Sequence, residues 1–264
     1  MKSRWPFVSS AIAMLLMPAT SYAQEFAVAI SPPRIEDRAK AGSTYRNIIE
    51  INNTSKKVAR YTMQTADWSL DAKGSAVFTQ ALVPGSCRPW VGIEAAQITV
   101  KPNGKRRFRF EANIPAATPV GECTFAIMIE GEPQVLGQVA MPVSGRIGVI
   151  VYLAIGDAAP VLELKKSSII VLQGQELPVL QFQNKGNMHG RLEGYLNGID
   201  AGGKRVVLIP DNSPILIGAT RDIPLYPQPE GKSETVPKIS YPLRLKGRLD
   251  SAEQRIDIEM TLSK

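Results

Sequence analysis

Apolar and polar residues alternate along this chain in short runs, and the longest run is the least usual. In Gln134–Ile155, QVLGQVAMPVSGRIGVIVYLAI, every odd position from Val135 to Ile155 is apolar or glycine. The even positions include Gln134, Gln138, Ser144 and Arg146. A period of two predicts β-strand. Strands of globular proteins usually run about 3–10 residues, so a row of this length, with Pro142 inside it, needs a reason. Proline has no N–H for a ladder and is tolerated in sheets mainly at edges or bulges. The row is therefore expected to lie, at least in part, on an edge.

The other runs are ordinary. NIIEIN (Asn47–Asn52), VARYTMQT (Val58–Thr65) and TFAIMI (Thr124–Ile129) read as strands. Gln97–Val100 and Arg106–Ala112 flank the turn KPNG; in the second, Phe108, Phe110 and Ala112 alternate with Arg107, Arg109 and Glu111. Gln254–Leu262 alternates again through Ile256, Ile258, Met260 and Leu262. Twenty prolines and 21 glycines punctuate the runs, and amphipathic helix patterns are scarce. Many short strands separated by turn residues predict an all-β chain of sandwich type.

A faint repeat divides the chain. IIEINN and LPVLQFQN are both apolar alternations ending in asparagine; each is followed by a turn, a new strand and then Asp-Ala-x-Gly, at Asp71–Gly74 and Asp200–Gly203. More loosely, ITVKPNGKRRFRF matches ILIGATRDIPLY as strand, glycine-bearing turn and strand. An offset of about 130 residues predicts two related β-sandwich domains of ordinary size. The small, proline-ended stretch AIGDAAP (Ala154–Pro160) is the expected boundary, giving domains over 24–156 and 157–264.

The N-terminus changes the compartment. Lys2 and Arg4 precede a mostly apolar Phe7–Met17, and Ser21-Tyr22-Ala23 is a small-x-small cleavage site. Residues 1–23 read as a secretory signal peptide, because the apolar run falls short of the ~20 residues a spanning helix needs. Stable membrane insertion is not expected. The formal net charge of +7 loses two units with Lys2 and Arg4, and the remaining positives are dispersed apart from Lys105-Arg106-Arg107. In an exported chain a basic balance of this kind reads as a solvated surface rather than a nucleic-acid site. Export also makes a disulfide the default for the two cysteines, Cys87 and Cys123. Closing that loop would constrain the unfolded chain by roughly 3–4 kcal/mol.

Catalytic chemistry is hard to find. The single histidine, His189, lies in NKGNMHGR and reads as a surface turn residue. A triad needs a positioned base with its own partner, and zinc needs more ligands than one histidine and two paired cysteines. No phosphate-binding glycine loop or paired-carboxylate motif is present. Trp68 and Trp90 are expected in cores or at loop bases. A non-enzymatic interaction protein without cofactor or metal is the expectation.

Several ordered stretches resemble the PapD-like periplasmic chaperones of the chaperone–usher pilus pathway. AVAISPPRI followed by IEINNTS is similar to the family's N-terminal strands. WVGIEAAQITVKPNGKRRFRFEANIP is similar to its strand, Pro-x-Gly turn, strand and Ile-Pro run. TPVGECTFAIMIEG resembles the strand entry that follows, with Cys123 where many members have an aromatic residue. The long alternating row then stands where the family has the last strand of its first domain. The resemblance is strongest over residues 26–156 and extends over nearly all of the mature chain.

The resemblance implies two immunoglobulin-like β-sandwich domains set as an L. It implies a periplasmic chaperone that lends its long strand to incomplete pilin or fimbrial subunits and delivers them, in some systems to an outer-membrane usher. Such donor-strand complementation is a form of β-augmentation. Val135, Val139, Met141 and Val143 are the expected donor side chains, and Ile147–Ile155 is expected to pack at home. The family also holds the subunit's C-terminal carboxylate on two basic residues in the cleft between its domains. Arg34 matches the first of these. Arg146 matches the second by spacing, although the family has lysine there, and its Tyr-Arg-Pro ending survives here only as Tyr152-Leu153. The competing expectation is a secreted two-domain envelope or adhesion module without subunit hand-off.

Overall fold

The computed structural model describes residues 27–71, 74–135, 142–229 and 236–264. The signal segment 1–23 lies outside them, as do Val139 and Met141 of the expected donor row. The first half contains β1 (Val28–Ser31), β2 (Arg34–Ala39), β3 (Thr44–Asn53), β4 (Ala59–Leu70), β5 (Ala76–Thr79) and β6 (Val91–Ile93). It continues with β7 (Gln97–Val100), β8 (Lys105–Asn113), β9 (Gly121–Gly131), β10 (Gln134–Val135), β11 (Pro142–Val143) and β12 (Arg146–Ile155). The second half contains β13 (Leu162–Leu172), β14 (Gln175–Asn184), β15 (Glu193–Ile199), β16 (Arg205–Pro210), β17 (Thr220–Pro227), β18 (Leu243–Ser251) and β19 (Gln254–Leu262). The bounds of β7 and β19 are those expected from alternation alone.

Two sandwiches result. In the first, the sheet β1-β3-β8-β6 faces the sheet β2-β12-β9-β4-β5, with β7 added to β4. Their inner faces share one core, which includes Ile49, Ile51, Phe108, Phe110, Phe125, Ile127, Val149, Val151 and Leu153. In the second, the strands run β13-β14-β17-β16-β15-β18-β19 and fold over a separate core built on residues such as Leu180, Phe182, Leu196, Leu208, Leu225 and Leu245. The Gln254 side chain closes this run, exchanging hydrogen bonds of 2.8 and 2.9 Å with the backbone of Leu162. In strands such as β8 and β16 the inward residues are apolar and their neighbours are exposed, which is why period-two patterning sorted those faces, whereas β9 and the end of β12 are apolar and buried on both faces. The immunoglobulin-like tandem expected from the resemblance is the fold observed.

The internal repeat is physical. Asn53 and Asn184 are both fully buried at the ends of β3 and β14. Each donates its side-chain amide to the carbonyl four residues on (Lys57 and Met188, both 2.8 Å) and accepts the N–H two residues on (Ser55 at 3.0 Å, Gly186 at 2.9 Å). Each also reaches across the core end to a backbone carbonyl, Val100 from Asn53 and Ile215 from Asn184. A buried amide needs all these partners, so asparagine is demanded twice. The Asp71 and Asp200 turns match as well: Gly74 and Gly203 donate to the aspartate carbonyls at 2.9 Å with φ of 83° and 78°. Cys87 and Cys123 form the expected disulfide, with Cα atoms 5.9 Å apart.

The long alternating row divides at the backbone. The row Gln134–Ile155 is not a single strand. Gln134 pairs with Val143 and Val135 with Pro142, antiparallel, so Val135 and Val143 stand on opposite arms of a hairpin. Between Glu130↔Arg146 and Gln134↔Val143 the register slips by one, with Gly131 N–H bonded to the Gly145 carbonyl at 3.0 Å. Such an irregularity re-aims the strands beyond it. The row keeps its period through a reversal of the chain because alternation records parity, not partner.

Candidate functional site

The site is built where β12 changes neighbours. On one side β12 pairs with β9 along its whole length, from Arg146↔Glu130 to Ile155↔Gly121. On the other side β2 pairs with it in parallel, but only from Ile150↔Arg34 to Ile155↔Ala39. Among the described residues, Arg146–Val149 therefore have no strand on that side, and β10 and β11 pair only with each other. The result is an open edge that runs from Pro142 to Val149 and ends where β2 begins, at Arg34. Open edges carry unpaired N–H and C=O groups and accept further strands.

Below that point β12 is closed on both faces. Val149, Val151, Leu153 and Ile155 fill the first core, as expected for Ile147–Ile155. Tyr152 and Ala154 point the other way and are buried beneath the second sandwich. The cleft between the sandwiches, about 270 Å³, is lined by Glu36, Arg38, Glu122, Tyr152, His189 and Arg191, with other residues around them.

The expected anchors separate here. Arg34 opens β2 with its side chain about half exposed and its Nε 2.6 Å from Glu36 Oε1. Arg146 lies on the open stretch, four positions before Ile150, and pairs with Glu130 at 3.3 Å. Four residues of strand span ~13 Å, and the two guanidiniums are held by different carboxylates, Glu36 and Glu130. Sequence spacing placed Arg146 on the correct face, and its distance along the strand is what differs.

The cleft instead gathers residues that the sequence left unremarked. His189, expected on the surface, is 5% exposed. Its N–H donates to Glu122 Oε2 at 3.1 Å, its Nδ1 lies 2.5 Å from Glu122 Oε1, and its Nε2 lies 3.7 Å from Glu36 Oε1. The imidazole lies against the Tyr152 ring, with centroids 3.9 Å apart. Arg191 donates to Glu36 at 2.9 Å and sits over the same ring, so Glu36 bridges Arg34 and Arg191. Burial works against the imidazolium, but hydrogen bonds to Glu122 and Glu36 outweigh it and raise the His189 pKa. Burial likewise works to raise Glu36; His189, Arg191 and Arg34 outweigh it and hold the carboxyl at about 2. Burial pushes the Tyr152 phenol up to about 12. The arrangement is an ionic clasp between two carboxylates of the first sandwich and two cations of the second. Glu36 and Arg191 are 155 positions apart, and no local pattern could have joined them.

No protein-family model matches the chain, and no curated protein matches it in sequence. Among solved structures, the class 5 fimbriae chaperone CfaA is 11% identical, with 88% of this chain and 98% of that one covered at a TM-score of 0.49. The Pseudomonas aeruginosa CupB2 chaperone is 15% identical, with 89% and 100% covered at 0.46. The SafB chaperone in complex with the SafA pilin of Salmonella enterica gives 10% identity, 90% and 98% coverage, and a TM-score of 0.46.

Proposed function

We propose that this protein is an exported, periplasmic chaperone that stabilises pilin-type subunits by pairing a subunit strand with its open edge and delivers them for assembly, without a cofactor. The observation that carries the reading is the edge itself: among the described residues, β10 and β11 pair only with each other and β12 is unpaired on one side as far as Val149. A two-stranded hairpin is marginal alone, and an added strand would give it the third partner it lacks. Backbone hydrogen bonds would supply sequence-tolerant affinity, and apolar side chains on the hairpin, Val143 foremost, would enter the subunit's groove. Each fully buried side chain of that size contributes about 1.5–3 kcal/mol.

Arg34 fits this reading for a geometric reason. β2 runs parallel to β12 and begins where the open edge stops. A subunit strand laid parallel to β12 along that edge would end against the first residue of β2 and present its C-terminal carboxylate to Arg34. A guanidinium binds a carboxylate bidentately, fixing register as well as adding energy. Glu36, already on Arg34, would be shared or displaced, with Arg191 still holding it. Arg146 would act further up the edge, apart from the carboxylate. The test is co-expression with a candidate subunit and recovery of the one-to-one complex. Arg34→Glu should abolish recovery, as should removal of the subunit's terminal carboxylate-bearing residue, while the free chaperone stays folded. Undiminished recovery with Arg34→Glu sinks the anchoring role.

A further inference from the structure

The two sandwiches present comparable outer sheet faces to solvent, yet the faces differ in kind. On the first, charges are matched across β3, β8 and the start of the β6–β7 connection: Arg46 with Glu111 at 3.0 Å, Lys105 with Glu50 at 2.9 Å and Arg109 with Glu94 at 3.7 Å. Among the described residues, no large apolar side chain of β3, β6 or β8 is exposed. That face is finished by salt bridges and asks for nothing more.

On the second sandwich, Leu196, Leu208 and Leu245 point into the core, so the residues between them point out. Cross-strand register sets Arg205, Ile199 and Arg244 in one row of that outer face, and Val207, Asn197 and Lys246 in the next. Lys246 pairs with Glu259 and Arg248 with Asp257. Arg205 and Arg244 have no acidic partner among the described residues. Beside them four apolar or aromatic side chains lie open: Tyr195 at 57%, Val207 at 41%, Ile209 at 40% and Tyr226 at 37% exposed. The rows floor a groove of about 1060 Å³, walled on one side by Gln228 and Pro229.

We propose that this groove docks an acidic segment of a partner protein. Its carboxylates would lie on Arg205 and Arg244, and its apolar side chains on Ile199 and Val207. Two guanidiniums without an acidic partner among the described residues, flanking an apolar floor whose own carboxylate, Glu259, is held by Lys246, favour a ligand with both properties. A second copy of this chain is disfavoured, since a two-fold contact through this face would gather four guanidiniums into one interface. A bilayer is disfavoured by shape, because a recessed groove cannot lie flush on a flat surface. The inference stands apart from the open-edge reading, since it uses residues of the other sandwich and none of the edge.

The test uses the full mature chain and a fluorescein-labelled peptide of alternating glutamate and leucine, with a lysine–leucine peptide as control. The acidic peptide should bind in a salt-dependent manner, and R205E/R244E should weaken it roughly tenfold or more, the size expected for lost charge-assisted contacts. Arg107→Glu, on the ion-paired face, should leave it unchanged. Equal binding by R205E/R244E, or no preference for the acidic peptide, overturns the proposal. So does sedimentation of the chain with phosphatidylglycerol vesicles through Arg205 and Arg244, which would give the face to a membrane. A dimer dispersed by Ile209→Asp would give it to a second copy and overturn it equally.

Discussion

The two halves of the Gln134–Ile155 row have the same hydrophobic rhythm and opposite fates. From Ile150 onward the backbone is paired on both sides, by β9 and β2, and Val151, Leu153 and Ile155 are sealed in the first core. Among the described residues, the backbone between Pro142 and Val149 finds strand partners on one side only. Apolar alternation therefore says that a strand will bury one face. It does not say in whose core. The neighbour decides, and here the neighbour changes at Arg34.

That contrast should be sharpest in a pair of charge insertions. Val151→Asp places a carboxylate where the side chain is fully buried, an uncompensated burial costing several kcal/mol, of the order of the whole stability of a domain. Soluble yield and cooperative unfolding should be lost. Val143→Asp should leave the melting temperature within about 2 °C, while subunit recovery collapses. Equal damage to stability from both would erase the distinction between the halves.

The cross-link tests how firmly the closed half is held. Cys123 stands opposite Leu153 in the β9–β12 ladder, so the disulfide pins the part of β12 that serves its own core. Replacing both cysteines by alanine should cost roughly 3–4 kcal/mol by the chain-entropy argument, read as a lower denaturant midpoint with subunit selectivity retained. A larger effect on partner binding than on stability would reverse the assignment of the two halves.

The smallest effect concerns the clasp beneath Tyr152. The His189 pKa is raised, so its contribution is full below its ordinary value of 6.5 and declines as pH rises through the folded value. Glu36 is held at about 2, so its contribution is present above 4.5 and is lost as pH falls toward 2. Contact between the sandwiches should thus be tightest at mildly acidic pH. Melting temperature followed against pH should show the alkaline decline in the natural chain and not in His189→Gln. A decline unchanged by that substitution would remove His189 from the clasp.

Much of the fold was legible because each strand carries its own instruction. Phe108, Phe110 and Ala112 alternate cleanly, and the Pro-x-Gly turn before them fixes where β7 ends. Asn53 and Asn184 announced the repeat, since a buried amide at a strand end has few substitutes. Arg34 was legible as a position on its strand. The cleft was not legible. His189 looked like a turn residue because it is one; it is buried by the other sandwich, a tertiary fact with no local trace. The spacing of Arg146 from Arg34 was not legible for a related reason, because parity specifies a face but not the level along β12 at which β2 begins.

The most direct measurement is amide hydrogen exchange of the protein, free and bound to a pilin-type subunit. Binding along the open edge should slow exchange between Val143 and Val149 and leave the already protected 150–155 segment unchanged. Protection confined to other strands, with 143–149 exchanging as fast as in the free protein, would contradict the open edge as the place where the subunit is held.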